Sequence, residues 1–171
     1  MPRRYRRKSS RSYKLVKPVK YSSETFGANA IFQWLSNNNY TSTLIAGTNV
    51  LGTRKVKNFT LTITLKTAAS SADFTIPIFF ALVFVPEGTN PSTLNLGTTI
   101  NNNALQALSY YEPNQNVIIQ GCIDAQQVYR YKSRLGRNLN AGDTIMLVWR
   151  AASDFAASSY LGFTLNYALA F

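Results

Sequence analysis

The chain has 171 residues and a net charge of +11, with 46% hydrophobic and only 15% charged residues. This length fits one domain with an appendage, and the apolar fraction suffices for a buried core. One cysteine excludes an internal disulfide framework, and the longest apolar run, Ile76–Val85, is too short for a membrane-spanning helix, so we expect no membrane insertion. The low charged fraction predicts that other copies of the chain cover part of the surface.

The basic residues are concentrated at the N-terminus. Residues 1–20 hold nine of the 18 lysines and arginines and no acid, whereas nine basic and seven acidic residues leave 21–171 at +2. Residues 1–20 have too few apolar groups to offset the entropy of ordering, so we predict a disordered arm over 1–20 and one folded domain over 21–171. The basic residues of the arm are Arg3, Arg4, Arg6, Arg7, Lys8, Arg11, Lys14, Lys17 and Lys20.

The composition of the arm predicts a polyanion as its partner. Arginine and lysine neutralise phosphates without sequence specificity, and Tyr5 and Tyr13 between them can stack on unpaired bases. A nuclear localisation signal is compatible with this interpretation, because basic runs also serve as such signals. An anionic membrane surface fits less well, because the arm has no apolar helical face. We therefore predict that the arm binds nucleic acid.

The remainder of the chain has the alternation of β-strands. Residues 59–66 alternate apolar with polar side chains, and residues 78–85 are apolar at every position, which indicates a strand buried on both faces. Seven or eight strands with little helix predict an all-β sandwich or barrel, in which 103–109 is the only helix-like stretch. Further strand patterns lie at 117–123, 129–135, 144–151 and 161–171, with weaker candidates at 30–35 and 44–51.

A second basic group lies in the folded domain and is a candidate nucleic-acid site. Strand alternation places its first three members on one side of a sheet, with two tyrosines and Leu135 on the other side. The pattern fits a sheet face that lines the inside of an assembled particle and contacts its packaged nucleic acid. It fits an ordinary solvent-exposed strand face equally well. A weaker cluster at 54–57 is interpreted as the charged start of a strand. The second basic group consists of Arg130, Lys132, Arg134 and Arg137.

The sequence offers little chemistry for catalysis. Histidine is absent, which removes most general-base and nucleophile-activating arrangements. The seven acids are scattered, and Cys122, in an apolar strand pattern, is interpreted as a small core residue rather than a nucleophile. One cysteine without histidine forms no metal-ligand motif. We therefore expect a protein that is not an enzyme and has no catalytic residues, no metal and no cofactor.

Three features resemble the capsid proteins of circular, Rep-encoding single-stranded DNA viruses, such as the circoviruses: the start MPRRYRRK, the all-β body, and YEPNQNVIIQGCIDAQQVYRYKSRLGRNL at Tyr111–Leu139 followed by AGDTIMLVW. The resemblance covers the whole chain in organisation. It implies a single jelly-roll β-sandwich of about eight strands, with the arm pointing into the particle. It also implies a DNA-binding homo-oligomer of sixty copies in a T=1 icosahedral shell. The implied locations are the virion and, during assembly, the host nucleus, with a nuclear import receptor as a further partner.

The implied stoichiometry bears on the second basic group. Sixty arms would carry on the order of 500 positive charges, which neutralise a similar number of nucleotides. A genome of about a kilobase or more would then draw on body residues such as Arg130, Lys132 and Arg134.

Two alternatives share these features. One is a cellular or phage β-barrel that binds single-stranded nucleic acid, because such barrels also combine cations with aromatic residues. The other is the coat of a small RNA virus, which has the same fold and arm. The residues leave DNA and RNA open as cargo, and the family resemblance favours DNA.

Overall fold

A computed structural model of the chain describes residues 20–32, 40–49, 52–67, 76–89, 99–100, 104–105, 116–124, 128–155 and 159–170. These ranges contain no helix, and so none that is long and apolar enough to cross a membrane. The strands are β1 (Ser22–Phe32), β2 (Tyr40–Ile45), β3 (Arg54–Thr67), β4 (Ile78–Val85), β5 (Thr99–Ile100), β6 (Ala104–Leu105), β7 (Asn116–Ile123), β8 (Val128–Ser133), β9 (Arg137–Leu139), β10 (Thr144–Ala151) and β11 (Ser159–Ala170).

Nine of these strands form two antiparallel sheets. The first sheet has the order β1-β11-β3-β8, with β9 also paired to β3, and the second has the order β2-β10-β4-β7. Each strand of the first half of the chain pairs with its counterpart in the second half: β1 with β11, β2 with β10, β3 with β8 and β9, and β4 with β7. The chain is thus one long antiparallel ribbon wrapped into a two-sheet sandwich, which is a jelly roll. The prediction of an all-β jelly-roll sandwich of about eight strands is confirmed.

The main core lies between the sheets at the inward positions of the strands. Phe59, Leu61 and Ile63 of β3 are at most 1% exposed, and the threonines between them point outward. Trp149 of β10 is 3% exposed, and its ring centroid lies 6.3 Å from that of Phe163 in β11. The predicted alternation is therefore confirmed over residues 59–64, and the predicted strand over 144–151 is confirmed as β10.

The second sheet also buries its outer face. In β4, Ile78, Phe80 and Leu82 pack into the main core, whereas Ala81, Val83 and Val85 belong to a smaller apolar cluster on the other face. The prediction that residues 78–85 are buried on both faces is confirmed, with Phe84 half-buried. The smaller cluster consists of Ala81, Val83, Val85, Met146 and Val148, with Val117 packed against it.

A bulge in β3 keeps its alternation matched to β11. Between Lys57 and Thr60, β3 has two residues where β11 has only Tyr167. The extra residue is Asn58, with φ of 58°, in the left-handed region that asparagine adopts more readily than most residues. Lys57 and Thr60 therefore both lie on the outer face of the first sheet while Phe59 stays in the core.

Several local predictions are wrong. Residues 104–105 of the helix-like stretch form β6 and pair with β5, while the rest of 103–109 lies outside the described residues. The weak candidates at 30–35 and 44–51 catch only the ends of β1 and β2. Both are edge strands held by main-chain hydrogen bonds to one neighbour, so they need few apolar side chains and show little alternation.

Cys122 is an exposed residue of β7, which corrects its interpretation as a core residue. Gly121 and Ile123 take the inward positions at this end of the strand, so the side chain between them points outward. Partial desolvation and the carboxylate of Asp124 raise the pKa of the Cys122 thiol. A raised pKa lowers the thiolate fraction at neutral pH.

Candidate nucleic-acid interface

Strand β8 carries two of the predicted cations on the outer face of the first sheet. Arg130 and Lys132 are exposed and lie opposite Thr62 and Thr60 of β3. The alternate positions are half-buried, and the Tyr131 ring lies 4.8 Å from that of Phe80 in an edge-to-face contact. The predicted face is thus confirmed for Arg130 and Lys132, because the tyrosines occupy the inward positions.

Arg134 and Arg137 leave this row. Strand β8 ends at Ser133, and Arg134 lies in the turn that leads to β9. Alternation therefore fails to align Arg134 with the two cations of β8, and Leu135 is 48% exposed instead of sharing the tyrosine face. Arg137 of β9 pairs with Val56 of β3, and its Nη1 donates to the carbonyl of the preceding residue at 3.1 Å.

An open cavity of about 460 Å³ forms between β3 and the β8–β9 turn. Four of the six residues that line it are cationic, and no acidic side chain from the described ranges is among them. Like charges gathered around one cavity repel each other, so an anion bound in the cavity would reduce the repulsion among the four cations. This cavity, termed the basic pocket below, is lined by Lys55, Lys57, Arg134, Gly136, Arg137 and Asn138.

Strand β3 supplies the two lysines of the basic pocket. Lys55 and Lys57 flank Val56, which is fully buried, so both lysines point outward. Lys55 pairs directly with Asn138 of β9. From the sequence, the 54–57 cluster was interpreted as a strand start separate from the 130–137 group. The pairing of β3 with β9 joins the two groups, and no local pattern reveals a pairing between segments so far apart.

The basic pocket adjoins the residues just before β1. The Nζ of Lys57 lies 3.8 Å from the ring centroid of Tyr21, the residue that follows the predicted arm. The small Ala168 of β11 lies between Lys57 and β1 in the register, which lets the lysine reach across. Lys20 is exposed beside it. The other predicted arm residues, Arg3, Arg4, Arg6, Arg7, Lys8, Arg11, Lys14 and Lys17, lie outside the described residues.

The first strand is fastened near the same end by Tyr167. Its hydroxyl donates a hydrogen bond of 2.7 Å to Oε2 of Glu24 in β1. Partial burial, followed by this hydrogen bond and the charge of Glu24, raises the pKa of Tyr167 to about 12, against a smaller opposing effect of Arg54. The bond joins β1 to β11 two residues after β1 begins, and so holds the start of the domain in place.

The buried carboxylate at this end has a structural task. Asp143 is 4% exposed, and its two oxygens accept hydrogen bonds from the backbone N–H groups of Asn140 at 2.7 Å and Glu87 at 3.0 Å. These bonds join the β9–β10 turn to the turn after β4. Across the described ranges, no three His, Cys, Asp or Glu side chains come together in a group that could hold a metal ion.

Comparison with known proteins assigns no family, since no protein-family model and no curated protein matches the chain. Among solved structures, the chain is similar to one from Desmodium yellow mottle tymovirus, with 12% identity and a TM-score of 0.35 over 90% of this chain and 89% of that chain. It is also similar to one from infectious bursal disease virus, Gx strain, with 8% identity and a TM-score of 0.35. That match covers 90% of this chain and 36% of the other, so the chain spans little more than a third of that protein.

Proposed function

We propose that this protein is a viral capsid protein that assembles into a closed shell and binds nucleic acid through its N-terminal arm. The proposal is carried by one combination: the strand order of a jelly roll, preceded by twenty residues with nine cations and no acid. Jelly rolls also occur in lectins and cupins, so the fold by itself does not decide the function. The basic arm favours the capsid, because a polyanion is the partner that such charge attracts.

The division of charge supports an assembling domain. Residues 21–171 carry a net charge of +2, so copies of the domain repel one another weakly. Val128 and Leu135, the large hydrophobic side chains that are exposed among the described residues, are 67% and 48% accessible near the two ends of the edge strand β8. Exposed apolar groups at a sheet edge suit a contact with another copy. We propose an assembly role without catalysis.

The finer assignment follows the family resemblance. We propose a circovirus-like coat of sixty copies in a T=1 icosahedral shell, with single-stranded DNA as its cargo. Import into the host nucleus would use the arm as its signal, because basic runs serve both purposes. Arg130 and Lys132 would supplement the arm in neutralising the genome, since they are exposed on one sheet face.

Electron microscopy of the purified full-length chain tests the proposal. We expect closed particles of uniform diameter in negative stain after mixing with single-stranded nucleic acid. A strictly monomeric protein, both with and without nucleic acid, would contradict the capsid assignment.

The cargo requires a separate experiment. Particles are assembled in an equal mixture of single-stranded DNA and RNA of the same length, and the protected strand is then typed with DNase and RNase. Preferential protection of DNA supports the proposal that the cargo is single-stranded DNA. Preferential protection of RNA would contradict it and leave the capsid proposal standing.

A further inference from the structure

We propose that the basic pocket binds phosphate groups of the nucleic-acid backbone, as a second binding site that belongs to the folded domain. This inference rests on the proposed function, because it takes nucleic acid as the partner. It adds Lys55 and Lys57 to the binding surface and separates Arg134 and Arg137 from the row on β8.

The lining of the pocket matches a phosphate rather than a base. Two lysines and two arginines line a cavity of about 460 Å³, together with Asn138 and Gly136. Ammonium and guanidinium groups are the side chains that proteins use on phosphate oxygens. No aromatic ring among the described residues lines the pocket, so it offers no surface on which a base could stack. Contacts of this kind position a strand and carry no sequence information.

The position of the pocket favours a nucleic acid over other polyanions. Lys57 lines the pocket and also lies over the ring of Tyr21, where the arm meets the domain. A nucleic-acid strand bound by the arm would therefore reach the pocket along the protein surface. Beyond Arg134, the exposed Lys132 and Arg130 continue along β8 at a spacing of about 7 Å. Lys20, the pocket and the two cations of β8 thus follow one another along the described basic surface.

Gly136 permits a test by charge alone. A Cβ added at this position meets no atom closer than 3.6 Å, and the residue does not have a positive φ. Gly136→Glu places a carboxylate in the pocket, whereas Gly136→Gln adds a side chain of the same shape without charge. Thr41→Glu is the control for net charge, because Thr41 is exposed on the edge strand β2 of the other sheet.

The experiment measures binding of the full-length chain to a fluorescein-labelled single-stranded dT oligonucleotide at several salt concentrations. For each phosphate displaced, we expect Gly136→Glu to bind about fivefold more weakly at 0.1 M salt, with a salt slope shallower by about 0.7. Gly136→Gln, which fills the same space without charge, should weaken binding clearly less than Gly136→Glu, and Thr41→Glu should keep the wild-type affinity and slope. If Gly136→Glu fails to fold, the double variant Lys55→Gln with Arg134→Gln replaces it. Both side chains are exposed, so the variant should fold, and the loss of two cations from the pocket should weaken binding.

Three outcomes would overturn the inference. One is equal binding by Gly136→Glu and Gly136→Gln, and another is equal loss in Thr41→Glu and Gly136→Glu. The third is a loss of heparin binding in Gly136→Glu with unchanged oligonucleotide binding, which would assign the pocket to a sulfated glycan.

The variant with Arg3, Arg4, Arg6 and Arg7 replaced by alanine separates this inference from the proposed function. A loss of binding in that arm variant, with none in Gly136→Glu, removes only the pocket. No oligonucleotide binding by the wild type removes the proposed function itself.

Discussion

The outer faces of the two sheets differ in polarity and burial. The first sheet turns threonines and the cations of β8 outward, and its edge with β9 forms the basic pocket. The second sheet buries apolar residues on its outer face as well as its inner face. The outer face of the first sheet is thus polar and accessible along β8, whereas the outer face of the second sheet is apolar and buried.

The largest effect is expected in the core that both sheets share. Trp149→Ala should lower the free energy of unfolding by about 3–5 kcal/mol, because it removes a large ring packed against Phe163 and Tyr40. Urea denaturation measures the change, and Trp149→Phe, which keeps an aromatic ring, is the control with a smaller loss. Near-wild-type stability of Trp149→Ala would show that the inward face of β10 is assigned wrongly.

The contrast between the outer faces can be measured with one substitution on each. Val148→Ala, in the apolar cluster of the second sheet, should cost about 2 kcal/mol because Val148 is fully buried. Thr62→Ala, on the outer face of the first sheet, should cost less than about 1 kcal/mol. Equal losses in the two variants would remove the distinction between the sheets.

Close packing between the sheets is tested at a glycine. A Cβ at Gly121 would lie 2.8 Å from a ring carbon of Phe80 and 2.9 Å from one of Tyr131. Gly121→Ala should therefore cost at least about 1 kcal/mol through overpacking. Gly136→Ala is the matched control, since its Cβ has room, and should leave the midpoint of thermal unfolding nearly unchanged. A stable Gly121→Ala variant would mean that the two rings can move apart freely.

The smallest effect concerns the bond that fastens β1. Because the pKa of Tyr167 is raised to about 12 in the folded chain, its contribution is complete below pH 10 and is lost as the pH rises from about 10 to about 12. Tyr167→Phe should cost about 1 kcal/mol below pH 10, an amount limited by solvent around the half-buried side chain. The stability difference between wild type and variant, measured from pH 8 to 12, should shrink across that window. A difference independent of pH would contradict the assigned hydrogen bond.

The sequence predicted those parts of the fold in which the polarity of each residue indicates whether its side chain is buried or exposed. Alternation at 59–64 and continuous apolar character at 78–85 follow directly from which faces are buried. The strand order could not be deduced from periodicity, and it was expected only through the family resemblance. Cys122 was misjudged because an apolar run does not tell which of its residues face inward.

The candidate site shows the same limit. Arg130 and Lys132 were placed correctly because strand alternation determines their face. The basic pocket could not be predicted, because it depends on the pairing of Val56 with Arg137 and of Lys55 with Asn138. Such a register is fixed by the packing of the whole sandwich and by the bulge at Asn58, rather than by neighbours in the chain.

Removal of residues 1–20 separates the proposed role of the arm in nucleic-acid binding from that of residues 21–171 in assembly. The full-length chain and the chain that begins at Tyr21 are assembled with the same single-stranded nucleic acid, and gradient-purified particles are analysed by electron microscopy and by their ratio of absorbance at 260 and 280 nm. We expect closed shells from both chains, with most of the nucleic acid missing from the shortened one. A shortened chain that stays monomeric and binds nucleic acid as tightly as the full-length chain would rule out a shell-forming domain with a nucleic-acid-binding arm.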